Sequence, residues 1–165
     1  MNNLNASSKS GILKGDYRML RKITTLLAIL TFLGSMLASA MFFDDNPRYI
    51  QVDRDDTTES YIDMNSIQNI RYDPPYYMIR ATVITYDYTT NIATGYENNY
   101  FYNFKRQTIK AQTIATCVYD EYGVSSPFMP IANPTVSPVD PVNSIAADNA
   151  FFSCYNIKFY HASTN

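Results

Sequence analysis

Residues 76–89, YYMIRATVITYDYT, decide the fold. Read at period two, Ile79, Ala81 and Val83 share one face, and Met78, Ile84, Tyr86 and Tyr88 share the other. Aromatic and β-branched side chains dominate both faces, which suits a pleated strand rather than a helix. The segment is bounded by punctuation. Asp73-Pro74-Pro75 precedes it, and proline cannot donate to a ladder. Residues 90–95 follow as the expected turn, with Gly95 supplying its flexibility.

Further strands are expected on both sides of this one. Upstream, residues 48–53, 60–64 and 67–72 alternate, and the charged stretch 53–59 is a turn. Downstream, residues 96–104 place Tyr96, Tyr100, Tyr102 and Phe104 on one face, a stripe best read as packing. In residues 107–119, Ile109, Ala111, Ala115 and Cys117 share the inner face. Residues 125–141 hold five prolines and form a loop across the domain. From about Asn143 the period changes, and Ala147, Ala150, Phe151, Cys154 and Ile157 form a helical stripe. The fold class is therefore α+β: an antiparallel sheet of about five or six strands with one C-terminal helix packed on a face.

The N-terminus is read separately. Arg21 and Lys22 precede an apolar run over residues 23–37, and Ala38-Ser39-Ala40 fits a small-residue cleavage pattern. Residues 1–40 are thus a secretory signal peptide, with Met19 an alternative start and Met41 the first mature residue. A membrane-spanning helix would need about 20 apolar residues, more than this run offers. Residues 41–165 then make one domain. Export and an even cysteine count favour a disulfide between Cys117 and Cys154, each on the inner face of its own element. Such a bridge would stabilise the fold by about 4 kcal/mol in the chain-entropy model.

Charge narrows the partners. The whole chain has net charge −2; residues 1–40 carry five Lys/Arg and one Asp, so residues 41–165 carry eight against fourteen and stand at −6. That balance disfavours nucleic acid, whose phosphates require clustered cations. The single histidine, His161, lies four residues from the C-terminus, a poor place for a catalytic base. Asp53, Asp55, Asp56 and Glu59 begin like a calcium loop. Thr58 stands where the tight-turn glycine belongs and Met64 where the bidentate glutamate belongs, so a solvated acidic turn is the better reading. Asp63, Asp87 and Glu97 are candidates for a glycosidase pair, and surface or turn roles suit them better. No enzyme, metal or cofactor is expected. Tyrosine is the informative residue: fourteen follow residue 40, with no tryptophan in the chain. Its rigid amphipathic ring suits contact with protein or glycan. Tyr72, Tyr76 and Tyr77, flanking Pro74-Pro75, are the candidate binding surface.

Four segments carry a resemblance: residues 61–67 (YIDMNSI), residues 117–123 (CVYDEYG), Ser137-Pro138 before the helix, and residues 151–160 (FFSCYNIKFY). In this order they resemble the surface-adhesin protein E family of bacteria. The resemblance implies a small exported α+β domain that binds host extracellular-matrix and plasma proteins. The chain departs from the family in lacking Trp and in clustering cations only at Lys105, Arg106 and Lys110, which argues against a cationic binding patch. The expected function is a non-enzymatic, adhesin-like domain at the periplasm, cell surface or exterior, with a protein or glycan partner and no membrane span after cleavage. A periplasmic inhibitor or immunity-type protein acting on a basic hydrolase is the alternative.

Overall fold

The computed structural model describes residues 42–160. The expected signal peptide, the start at Met19, the cleavage residues Ala38, Ala40 and Met41, and His161 lie outside the described residues. Five long strands follow one another: β1 (Tyr49–Arg54), β2 (Thr58–Asp73), β3 (Tyr76–Asp87), β4 (Ile92–Asn103) and β5 (Thr108–Tyr119). Each pairs antiparallel with the next. Two short strands, β6 (Met129–Pro130) and β7 (Ser137–Pro138), both pair with β5, and a C-terminal helix, α1 (Pro141–Tyr155), follows them. This is the expected α+β architecture of an antiparallel sheet with a C-terminal helix.

Two strand boundaries differ from expectation. The segments 60–64 and 67–72 form one strand, β2, despite a register shift between Asp63 and Gln68. Ser66 bridges the irregularity: its hydroxyl donates to the Asp63 carbonyl (2.6 Å) and accepts from the Thr82 N–H (2.8 Å). A side chain thus replaces the missing ladder bond and the strand continues. Gly95 is not in a turn either; it lies within β4, paired with Ile84 and Cys117. A Cβ there would come 2.7 Å from Cys117 Sγ and 2.8 Å from Tyr119 Cε2, so glycine is needed for close approach.

Each face of the sheet carries a core cluster. On one side α1 packs Ala146, Ala147, Ala150 and Phe151 against Ile79, Ala81, Tyr100, Tyr102 and Ile109. Small alanines let the helix backbone approach the sheet closely. Phe151 centres an aromatic cluster, with ring centroids 5.3 Å from Tyr77, 5.0 Å from Tyr102 and 5.2 Å from Phe159. Ile157 drops out of the expected stripe: it lies beyond the helix and is exposed, and Phe159 is buried instead. On the other side Phe43 packs against Tyr49, Tyr61, Ile84, Tyr86, Cys117 and Tyr119. The alternation expected for residues 76–89 is therefore correct, with Ile79, Ala81 and Val83 on the helix-bearing face and Ile84 and Tyr86 on the far side.

The expected disulfide is not formed: Cys117 and Cys154 are both free thiols. The cause is a bulge in β5. Thr113 pairs with Asn98, yet Ala115 pairs with Glu97, leaving Ile114 as an extra residue. One inserted residue reverses which way every later side chain points. Ile109 and Ala111 face α1, whereas Cys117 belongs to the cluster on the opposite side of the sheet. Cys154 packs with the α1 cluster, so the sheet stands between the two sulfurs. Burial raises the pKa of both thiols. The proline-rich segment is stitched along the β5 edge rather than crossing free. The Ile131 N–H donates to the carbonyl of bulged Ile114 (2.8 Å), and the Ser126 N–H donates to the Val118 carbonyl (2.8 Å).

Candidate functional site: the uncovered half of the helix-bearing face

Helix α1 covers only part of its face. Cross-strand register orders that face into rows. Tyr77–Tyr102–Ile109 and Ile79–Tyr100–Ala111 lie under the helix. Next comes Ala81–Asn98–Thr113, then Val83–Tyr96–Thr116, and last Asp53–Ser60–Thr85–Thr94–Val118. Side chains change from aromatic to hydroxyl-bearing along these rows. Between the N-terminus of α1 and the outer rows lies a cleft of about 450 Å³, walled by Ser60, Thr85, Tyr96, Asn98, Thr113 and Asn143. A smaller cavity of about 250 Å³ adjoins it, where Thr113 and Asn143 meet Ile131, Pro134 and Ser137 of the strap along β5.

The wall nearest the helix is fixed by hydrogen bonds. Tyr100 donates its hydroxyl to Asn143 Oδ1 (2.7 Å), and Thr113 donates to Asn98 Oδ1 (2.7 Å). Asn98 Nδ2 donates to the Tyr96 carbonyl (3.2 Å). Asn143 is held in turn by Asp140, the N-cap of α1, which accepts from its backbone N–H (2.7 Å) and its side-chain amide (2.9 Å). Burial pushes the Tyr100 hydroxyl well above its ordinary range. Further out, the buried Ser60 hydroxyl and the half-buried Thr85 hydroxyl hydrogen-bond each other at 3.0 Å. Tyr96 is 37% exposed at the edge.

Electrostatically the cleft has acids and no cations. Asp53, Asp55 and Asp140 line it, and neither Lys nor Arg does. Two of these carboxylates are already engaged. Asp140 caps the helix, and Asp55 accepts the N–H of Thr57 (2.7 Å) and of Thr58 (2.7 Å), which hold its pKa down at about 2.

Of the residues singled out from sequence, Tyr72 and Tyr77 are cross-strand partners with ring centroids 5.5 Å apart, and both contact Tyr155; Tyr72 is 66% exposed, Tyr77 is half-buried against Phe151, and Tyr76, 52% exposed, projects from the opposite face of β3. Glu59 is buried, held by Arg54 (2.7 Å) and by the Tyr61 hydroxyl (2.9 Å), far from any ligating arrangement with Asp55. Among the described residues no group of three or more His, Cys, Asp or Glu could hold a metal ion. Asp63 is clamped by the Arg48 guanidinium through two bonds (2.7 and 2.6 Å). Glu97 lies on the same row with Thr82 between them, about 10 Å away at two strand spacings. Asp87 accepts from the Thr89 N–H (2.7 Å) in the β3–β4 turn. The structure brings no two of these three carboxylates together.

Sequence reasoning missed the hydroxyl rows and treated Tyr96 as core. The available signal was a change of composition along one face, from Ile79 and Val83 to Thr85 on β3, and from Tyr102 and Tyr100 to Asn98 and Thr94 on β4. No family model, no curated protein and no solved structure matches this chain. No helix among the described residues is long and apolar enough to cross a membrane.

Proposed function

We propose that this chain is an exported, non-enzymatic bacterial binding domain that recognises a protein or glycan through the uncovered half of its helix-bearing face. The single observation carrying the reading is that half-face: a concave, hydroxyl-lined cleft with an exposed aromatic ring, held on a rigid sheet. The N-terminal signal pattern and the resemblance to the surface-adhesin protein E family support the export and adhesin-like parts. Net charge −6 over residues 41–165 and the carboxylates at the cleft favour one second reading, a basic hydrolase as the protein bound.

Cell fractionation with adhesion assays tests the proposal. The protein is expected outside the cytoplasm, and Tyr96→Ala with Thr85→Val is expected to abolish adhesion, while Tyr72→Ala with Tyr76→Ala leaves it intact. Cytoplasmic retention, or adhesion indifferent to the cleft variants, overturns it. Co-purification of a basic hydrolase lost in the same cleft variants selects the second reading.

A further inference from the structure

We infer that copies of this domain associate head to tail, the cationic end of one copy receiving the acidic end of the next.

The antiparallel meander places its turns alternately at two ends of the sheet. The β1–β2 turn, the β3–β4 turn and the exit of β5 share one end, because Arg54 pairs with Glu59, Thr58 with Asp87, Asp87 with Ile92, and Ala93 with Tyr119. The β2–β3 and β4–β5 turns share the other, where Asp73, Tyr76, Asn103 and Thr108 form the last row. Charge divides between these ends. The first carries Asp53, Asp55, Asp56, Asp87, Asp120 and Glu121, and its cation Arg54 is already paired with buried Glu59 (2.7 Å). The second carries Arg71, Arg80, Lys105, Arg106 and Lys110, with Asp73 as the opposing carboxylate. Arg71 and Lys110 stand on one cross-strand row, and Arg80 lies on the row beside it between Gln68 and Asn99. Lys105, Arg106 and Lys110 have no ion pair among the described residues. Strand pairing thus adds Arg71 and Arg80 to a cluster that is smaller along the chain.

The two ends act separately. Strands β3, β4 and β5 each run 12 residues. At about 3.4 Å per residue they span about 40 Å. The Debye length is about 8 Å at physiological ionic strength, so neither end feels the other through solvent. The net charge of −6 over residues 41–165 therefore describes neither. Both ends also expose apolar side chains: Tyr72 and Tyr76 at the cationic end, and Ile92, Tyr122 and Val124 at the acidic end. Aromatic rings within a charged rim are the composition of a protein interface.

Charge complementarity selects the occupant. A polyanion would satisfy the cationic end alone, and a basic protein the acidic end alone. A second copy satisfies both. Like ends repel, so a two-fold contact is disfavoured and opposite ends meet. Each contact leaves one cationic and one acidic end free. Such a heterologous contact closes into a ring or extends into a filament. It does not depend on the cleft beside α1 being a binding surface.

The test is sedimentation velocity on the protein as the cell processes it, over a range of protein concentration. Runs at about 0.01 M and about 1 M salt bring the Debye length from about 30 Å to about 3 Å. At low salt the mean mass is expected to rise with concentration beyond that of a dimer, and at high salt to return to the monomer. Lys105→Glu with Arg106→Glu makes both ends acidic, and Asp56→Lys with Glu121→Lys makes both ends cationic. Each double variant alone is expected to stay monomeric. An equal mixture of the two is expected to associate, because every end again meets its opposite. That recovery also shows that both variants fold. Tyr76→Ala is expected to weaken wild-type association about tenfold. A wild type that stays monomeric, a mass that stops at a dimer, association indifferent to salt, or a mixture that stays monomeric overturns the inference. If the wild type stays monomeric and heparin binds it through Lys105 and Arg106, the cationic end belongs to a polyanion and the inference falls.

Discussion

One face of one sheet is divided into two halves built from the same strands, and they differ in nearly every physical respect. Under α1, Tyr77, Tyr100, Tyr102 and Ile109 meet Phe151 and Phe159 in a packed aromatic cluster. Three rows further along the same strands stand Thr85 and Thr94, half-buried, beside the buried Ser60, all outside that cluster. The difference teaches how a small domain separates duties. Burial of large rings supplies the favourable folding free energy on one half, which allows the other half to keep polar groups in water. The boundary is Asn98–Thr113, where a buried amide network closes the core against the cleft.

The largest break in this contrast is Phe151→Ala. The ring is fully buried at the centre of the cluster, so its loss is expected to cost about 3–5 kcal/mol, read as a fall in the urea midpoint. The pH dependence divides along the same line. Burial raises the hydroxyl pKa of Tyr102 well above its usual range and that of Tyr155 to about 12. Unfolded tyrosines ionise near pH 10, so this stability is full below pH 10 and is lost as pH rises toward the folded values. Acid acts at the other half. Asp55, held at about 2 by the Thr57 and Thr58 N–H groups, and Asp87, held low by Thr89, stabilise their turns above the ordinary carboxylate range near pH 4. That contribution is lost as pH falls from about 4 toward 2. Denaturant midpoints across pH are expected to decline more at the alkaline end than at the acid end.

Tyr102→Phe is a smaller intervention in the covered half. It removes the hydroxyl that donates to the Ala147 carbonyl (2.9 Å) and is expected to cost about 1 kcal/mol by the same denaturation. The smallest effect belongs to the open half. Thr94→Val keeps shape and strand propensity, and its effect on stability is expected to stay within about 0.5 kcal/mol. A stability loss from Thr94→Val equal to that of Tyr102→Phe would erase the distinction between the halves.

Much of the covered half was legible in the sequence. Period-two alternation in residues 76–89 located β3 and both of its faces, and the helical stripe located α1 with Ala147, Ala150 and Phe151 inward. What was illegible depended on single residues. Period two assumes an unbroken ladder, and Ile114 breaks it, so Cys117 was assigned to the wrong side. Ser66 hides a strand continuation inside a polar stretch that resembles a turn. The open half was missed for a different reason. Threonine has high β-propensity whichever way it points, so composition cannot tell a hydroxyl facing a cleft from one facing bulk water. Only the end of helix cover at Asp140 makes that distinction, and helix placement is a tertiary fact.

The bulge at Ile114 has one more consequence. Two reduced sulfurs on opposite sides of a sheet are independent reporters of opening. Cys117 is sealed among Phe43, Tyr61 and Tyr119, so an alkylating reagent reaches it when the layer formed by the segment around Phe43 lifts. Cys154 sits half-buried in the last turn of α1, and its modification follows fraying of that turn alone. Site-resolved alkylation kinetics thus measure the local free energy of each layer separately, with no label introduced into the chain.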